Sequence, residues 1–91
     1  MSEKPYTPEE RKTARAILRY LVKHPAAKDT LRGIDEWWLG GEKSKRVNVE
    51  RAVSLLRSRG VIVESRRKGL PPYYQLDPKR RAAALKILRE L

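Results

Sequence analysis

Apolar residues recur with two different periods along this chain, and the change of period falls at one glycine. Val49, Ala52, Val53 and Leu56 stand at i, i+3, i+4 and i+7, the single stripe of an amphipathic helix over 47–59. Gly60 follows, where a left-handed C-terminal cap suits a residue without a Cβ. Val61-Ile62-Val63 is then β-branched, Arg66-Arg67-Lys68-Gly69-Leu70-Pro71-Pro72 interrupts it, and Tyr73-Tyr74-Gln75-Leu76 is again strand-like. The pattern predicts a helix, a glycine stop and a hairpin with a basic tip bent at Gly69. Period-two alternation sends Val61 and Val63 to one side of the first strand and Ile62 and Glu64 to the other.

Residues 1–6 read as a flexible lead-in. Thr7-Pro8-Glu9-Glu10 is a helix start, with Thr7 as N-cap, Pro8 at the first position and Glu10 closing a capping box. Ala14, Ile17, Leu18, Leu21 and Val22 form its apolar side, Arg11, Lys12, Arg15, Arg19 and Lys23 lie mainly around the other, and His24-Pro25 ends it. Asp29-Thr30 offers a second N-cap, opening a short helix whose Leu31, Ile34 and Trp38 share a face, with Gly40-Gly41 as its stop. Trp37 is rotated from Trp38 by about 100°, so one tryptophan belongs to the core and the other flanks it. Glu42 to Arg46 connects to the third helix. Asp77-Pro78 starts a last helix striped by Ala84, Leu85, Leu88 and Leu91. That helix either covers the core behind the first one or pairs with its counterpart in a homodimer. The expected fold is mainly α with a small β-hairpin (α+β): a winged helix-turn-helix domain over 7–76, with a three-helix core and a two-stranded wing, followed by a C-terminal helix over 77–91.

Charge changes what the pattern means. The chain has 91 residues, enough for one modest core, and a formal net charge of +11. Residues 1–42 carry eight basic and seven acidic side chains, net +1, whereas residues 43–91 carry fourteen and four, net +10. A charge gathered in the helix-plus-hairpin half points to a polyanionic partner, nucleic acid first, with an acidic protein surface or plain solubility as alternatives. The absence of Cys excludes disulfides and thiolate chemistry. No run reaches a membrane span and the first residues resemble no signal peptide, so a cytoplasmic protein with no membrane partner is expected.

Opposite the apolar stripe of the third helix lie Arg51, Ser54 and Ser58, with Val47 and Leu55 towards that side and Asn48 and Glu50 on the flanks. Arg51 is the best candidate to reach a base edge, because a guanidinium binds guanine at two points. Ser54 is small and can donate to phosphate, while Lys43, Lys45 and Arg46 precede the helix where backbone phosphate would lie. The bland alternative is a solvated charged face. Arg66, Arg67 and Lys68 crowd the hairpin tip with no nearby carboxylate beyond Glu64, an arrangement suited to an expected anion. One of Tyr73 and Tyr74 belongs to the core, and Tyr73 is the one that could touch nucleic acid. Lys79-Arg80-Arg81 has the wrong sign for a helix start and reads as a second phosphate contact. Trp37 either packs on a neighbouring helix end or anchors a protein partner. His24 stands without a partner motif, no phosphate-cradling glycine loop occurs, and Asp35 and Glu36 point to different sides of a helix. No enzyme, metal or cofactor is expected.

The run from Val49 to Val63 with Tyr74-Gln75-Leu76 resembles the MarR-type and related winged helix-turn-helix regulators of bacteria and archaea. Leu56 to Gly60 matches their Leu-x-x-x-Gly ending of the recognition helix, Gly69 the wing glycine, and Tyr73 or Tyr74 the aromatic of the return strand. The resemblance covers about residues 7–76. It implies a three-helix core, a two-stranded wing and commonly a DNA-binding dimer. The chain departs from it in its short flanking helices and in Val47 and Glu50, where hydroxyl and amide residues are usual. The expected function is therefore double-stranded DNA binding by a small transcription regulator, with helix 47–59 in the major groove and the wing 66–72 on the minor groove or phosphates. A protein-interaction winged helix using Trp37 is the alternative, and an RNA-binding module a third.

Overall fold

The structure, a computed structural model, describes residues 7–39 and 46–91, and of Arg46 only the backbone. Helix α1 (Pro8–Lys23) begins as its sequence requires. The Thr7 hydroxyl accepts from the Glu10 N–H at 3.1 Å, and the Glu10 carboxylate accepts from the Thr7 N–H at 3.2 Å. Two orphan donors of the first turn are thereby satisfied. His24 ends the helix, its N–H donating to the Tyr20 carbonyl.

A short strand that the sequence analysis did not foresee follows, β1 (Lys28–Asp29). Helix α2 (Leu31–Gly33) continues directly into a π-helical turn, Ile34–Trp38. Thr30 caps it as expected, its side chain accepting from the Gly33 N–H at 3.2 Å. The junction is close-packed. A Cβ on Gly33 would lie 1.8 Å from the Asp29 carboxylate, which accepts from the Thr30 N–H. The wide turn directs Ile34 and Trp38 inward and leaves Trp37 69% exposed, so Trp37 does not pack on a helix end.

Helix α3 (Arg46–Ser58) stops at Gly60, φ +80°. Gly60 N–H donates to Arg57 O at 2.9 Å and Val61 N–H to Leu56 O at 3.2 Å. These are the paired bonds of a Schellman motif, with Leu56 and Val61, both fully buried, as its apolar contact.

Strands β2 (Ile62–Arg67) and β3 (Leu70–Leu76) form the hairpin, with Gly69 at φ +76° in the bend. The sheet has three antiparallel strands in the order β1-β3-β2, not the two expected, because Lys28 and Asp29 pair with Gln75 and Tyr74. Ile62 and Glu64 share a face as expected, but the grouping of Val61 with Val63 and the break at Pro71-Pro72 are corrected. Ile62 and Leu76 are opposed in the core, with Glu64 opposite Tyr74 on that face, while Val63 faces out. Val61 lies ahead of the strand and is buried through the helix cap, so its side does not predict that of Val63. Moreover, Pro71 and Pro72 belong to β3. Between the pairs Ser65↔Tyr73 and Arg67↔Leu70 they oppose Arg66 alone, a register shift at which a missing N–H costs no ladder bond.

Asp77 caps a 3-10 turn, Pro78–Arg80, that leads into α4 (Arg81–Glu90). Ala84 and Ile87 of α4 are buried and Leu88 and Leu91 pack on the core, with α4 lying against α1. The architecture is thus mainly helical with a small three-stranded antiparallel sheet. Ile17, Leu18, Leu21, Ile34, Val49, Leu56, Val61, Ile62 and Leu76 are its largest fully buried side chains. Among the described residues no helix is long and apolar enough to cross a membrane.

Candidate nucleic-acid interface

The same stripe that buries Val49, Ala52, Val53 and Leu56 turns Val47, Arg51, Ser54 and Ser58 outward. Val47 is 48% exposed at the start of that face. Ser58 spends its hydroxyl on the Leu55 carbonyl at 2.8 Å, whereas Ser54 is exposed. Arg51 reaches back to α1, where it meets the buried Glu10 carboxylate at 3.3 Å while its own side chain stays 65% exposed. The carboxylate that closes the capping box therefore also holds the leading base-contact candidate. Asn48 is half-buried on the flank. Lys43 and Lys45 lie outside the described residues, and Arg46 opens α3.

Glu64 joins this helix to the hairpin. Its side chain is 11% exposed, accepts from Arg57 of α3 and from the Tyr74 hydroxyl at 3.4 Å, and forms an ion pair with Arg66 of β2 at 3.1 Å. Burial, followed by the Glu64 charge and its hydrogen bond, pushes the Tyr74 hydroxyl above its ordinary range, with Arg57 and Arg66 partly offsetting. Glu50, Ser54 and Arg57 of α3 and Glu64 and Arg66 of β2 line one shared hollow of about 270 Å³. The helix face and the hairpin consequently form one surface. Sequence reasoning named Glu10 only as a capping residue and missed Arg57, because the pairs Arg51–Glu10 and Arg57–Glu64 are made by the packing of α3 on α1 and on β2.

Beyond the clamp the hairpin cations separate. Arg66 is tied to Glu64, Arg67 stacks over the Tyr73 ring at 4.9 Å with Lys28 on the same ring at 5.8 Å, and Lys68 is exposed at the bend. Stacking leaves the charge of Arg67 unneutralised and fixes where it stands. Tyr74 is the core tyrosine and Tyr73 the half-buried outer one. His24 lies 4.5 Å from the Tyr20 ring, which stacks on Trp38 at 5.1 Å. Comparison with family models, with curated proteins and with solved structures gives no match to this chain.

Proposed function

We propose that this chain is a winged-helix protein that binds double-stranded DNA, a small transcription regulator with α3 in the major groove and the β2–β3 hairpin as a wing on the minor groove or flanking phosphates. The observation that carries the reading is the Glu64 clamp. The Glu64 carboxylate of β2 holds Arg57 of α3, which ties helix to wing, and also pairs with Arg66 of its own strand. Arg67 and Lys68 project from that framework with no ion pair to a described carboxylate. Crowding cations in this way is unfavourable in the free protein and favourable against a polyphosphate.

The test separates the roles. Arg67→Ala should weaken binding to every duplex alike, whereas Arg51→Ala should change the preference among sequences in a random pool. Equal losses on all sequences for both variants contradict the assignment, and an absence of duplex binding at low salt removes the reading altogether. A second reading, a protein-interaction module, is favoured by one observation only, the 69% exposure of Trp37. Stoichiometric capture of a protein partner that Trp37→Ala abolishes and Arg51→Ala leaves intact would support it.

A further inference from the structure

Helix α1 has an outward side that the proposed interface does not use. Lys12, Arg15, Arg19 and Lys23 recur at three- and four-residue spacing and are all exposed. At 100° per residue they form one stripe, nearly opposite the side that buries Ala14, Ile17, Leu18 and Leu21. The only carboxylates of α1 are Glu9 and Glu10, both in the first turn, and Glu10 is turned inward to Thr7 and Arg51. Among the described residues Lys12, Arg19 and Lys23 meet no carboxylate, and Arg15 donates to the Leu91 backbone oxygen. The stripe borders a groove of about 530 Å³ walled by Tyr20, Trp38 and Leu39. Four cations along one helix side repel one another over a span of about 16 Å, the length over which duplex DNA presents roughly ten phosphate charges.

The position of this stripe matters as much as its charge. The buried sides of α1 and α3 meet in one core, and the two helices pack directly on each other. The stripe lies on the side of α1 turned from that core and the candidate face on the side of α3 turned from it, so the two are separate surfaces. A duplex along the α1 stripe is a contact distinct from one on α3 and the hairpin.

We propose that the α1 stripe is a second, sequence-independent binding surface for the phosphate backbone of duplex DNA, so that one molecule bridges two duplexes. The inference rests on the reading of α3 and the hairpin as the first DNA surface. The contacts assigned to α1 are to phosphate, so this second contact carries no base readout. With at most four neutralised phosphates, raising salt from 50 to 200 mM weakens it about a hundredfold.

The experiment uses the full chain, one duplex fixed to beads and a second, fluorescent duplex free in solution. At low salt, protein that saturates the fixed duplex should capture the free one. The variant K12Q/R19Q/K23Q, which keeps the Arg15–Leu91 contact, should saturate the fixed duplex at the same concentration and capture none. Capture by this variant equal to that by the wild type overturns the inference and assigns bridging to self-association through another surface. Saturation of the fixed duplex by the wild type without capture also overturns it. Failure of the wild type to bind the fixed duplex at all is the distinct outcome that removes the first reading and, with it, the bridge.

Discussion

Replacing Glu64 with glutamine keeps the shape of the side chain and removes the charge that ties three elements together. The carboxylate is largely buried, and its arginine partners are 47% and 77% exposed for Arg57 and Arg66 respectively. A hydrogen bond to a charged group contributes about 1.5–3 kcal/mol when both sides are desolvated. Solvent screening lowers the Arg57 share to the bottom of that range and leaves Arg66 in the ~0.2–1 kcal/mol of an exposed pair. The Tyr74 hydroxyl, at 3.4 Å, adds little. The expected loss is therefore about 2 kcal/mol, which for a domain of this size lowers Tm by ~10 °C. Thermal unfolding followed by circular dichroism reads the stability, and ultraviolet titration of the tyrosines reads the site. Glu64→Gln should bring the Tyr74 hydroxyl down towards its ordinary range, since the carboxylate charge and its hydrogen bond both raise it. A Tm within ~2 °C of the wild type, together with an unshifted tyrosine titration, would refute the clamp and leave helix and hairpin without a fixed relation.

Two other perturbations test neighbouring parts of the account. Because the folded-state pKa of Tyr74 is raised above 10.0, folding favours its protonated form; the stability this contributes is complete below the unfolded pKa and lost as pH rises through the folded one. Denaturant unfolding over roughly pH 9 to 12 should show that loss, and Tyr74→Phe should flatten the curve by this one contribution; an unchanged slope would place the buried hydroxyl elsewhere. At the β1–α2 junction, Gly33→Ala should destabilise the fold through the Asp29 side chain alone, as the backbone there is ordinary helical. Asp29→Ala should relieve that clash in a double-mutant cycle, with a coupling of about 0.5–3 kcal/mol, whereas strictly additive losses would show that the contact is not the cause.

The elements that a local rule determines were legible in the chain. Thr7 and Glu10 fix the start of α1, and Gly60 fixes the end of α3, because each satisfies backbone groups within a few residues. The three-helix order, the hairpin and the core side of α3 follow from period alone. Features that depend on distant partners were not legible. Strand β1 is two residues long and exists only because β3 lies beside it, so no alternation announces it. Helix propensity carries no sign of the π turn at Ile34–Trp38. At the candidate interface, the sequence marked Arg51 and the tip cations by charge and position. It gave no sign that Arg51 returns to Glu10 or that Arg57 joins Arg66 on Glu64, since Arg51–Glu10 and Arg57–Glu64 are made by the tertiary packing of α1, α3 and β2.

The central claim is that the hairpin cations meet phosphate, and the slope of log binding constant against log salt concentration measures it directly. Six candidate phosphate contacts, Lys43, Lys45, Arg46, Arg66, Arg67 and Lys68, predict a slope of about −5 for duplex DNA, a loss of about a thousandfold between 50 and 200 mM salt. In the Arg67→Ala, Lys68→Ala double variant the slope should become shallower by about two, with affinity reduced alike on every sequence. A flat wild-type response, or a double variant whose slope and affinity match the wild type, would contradict the account.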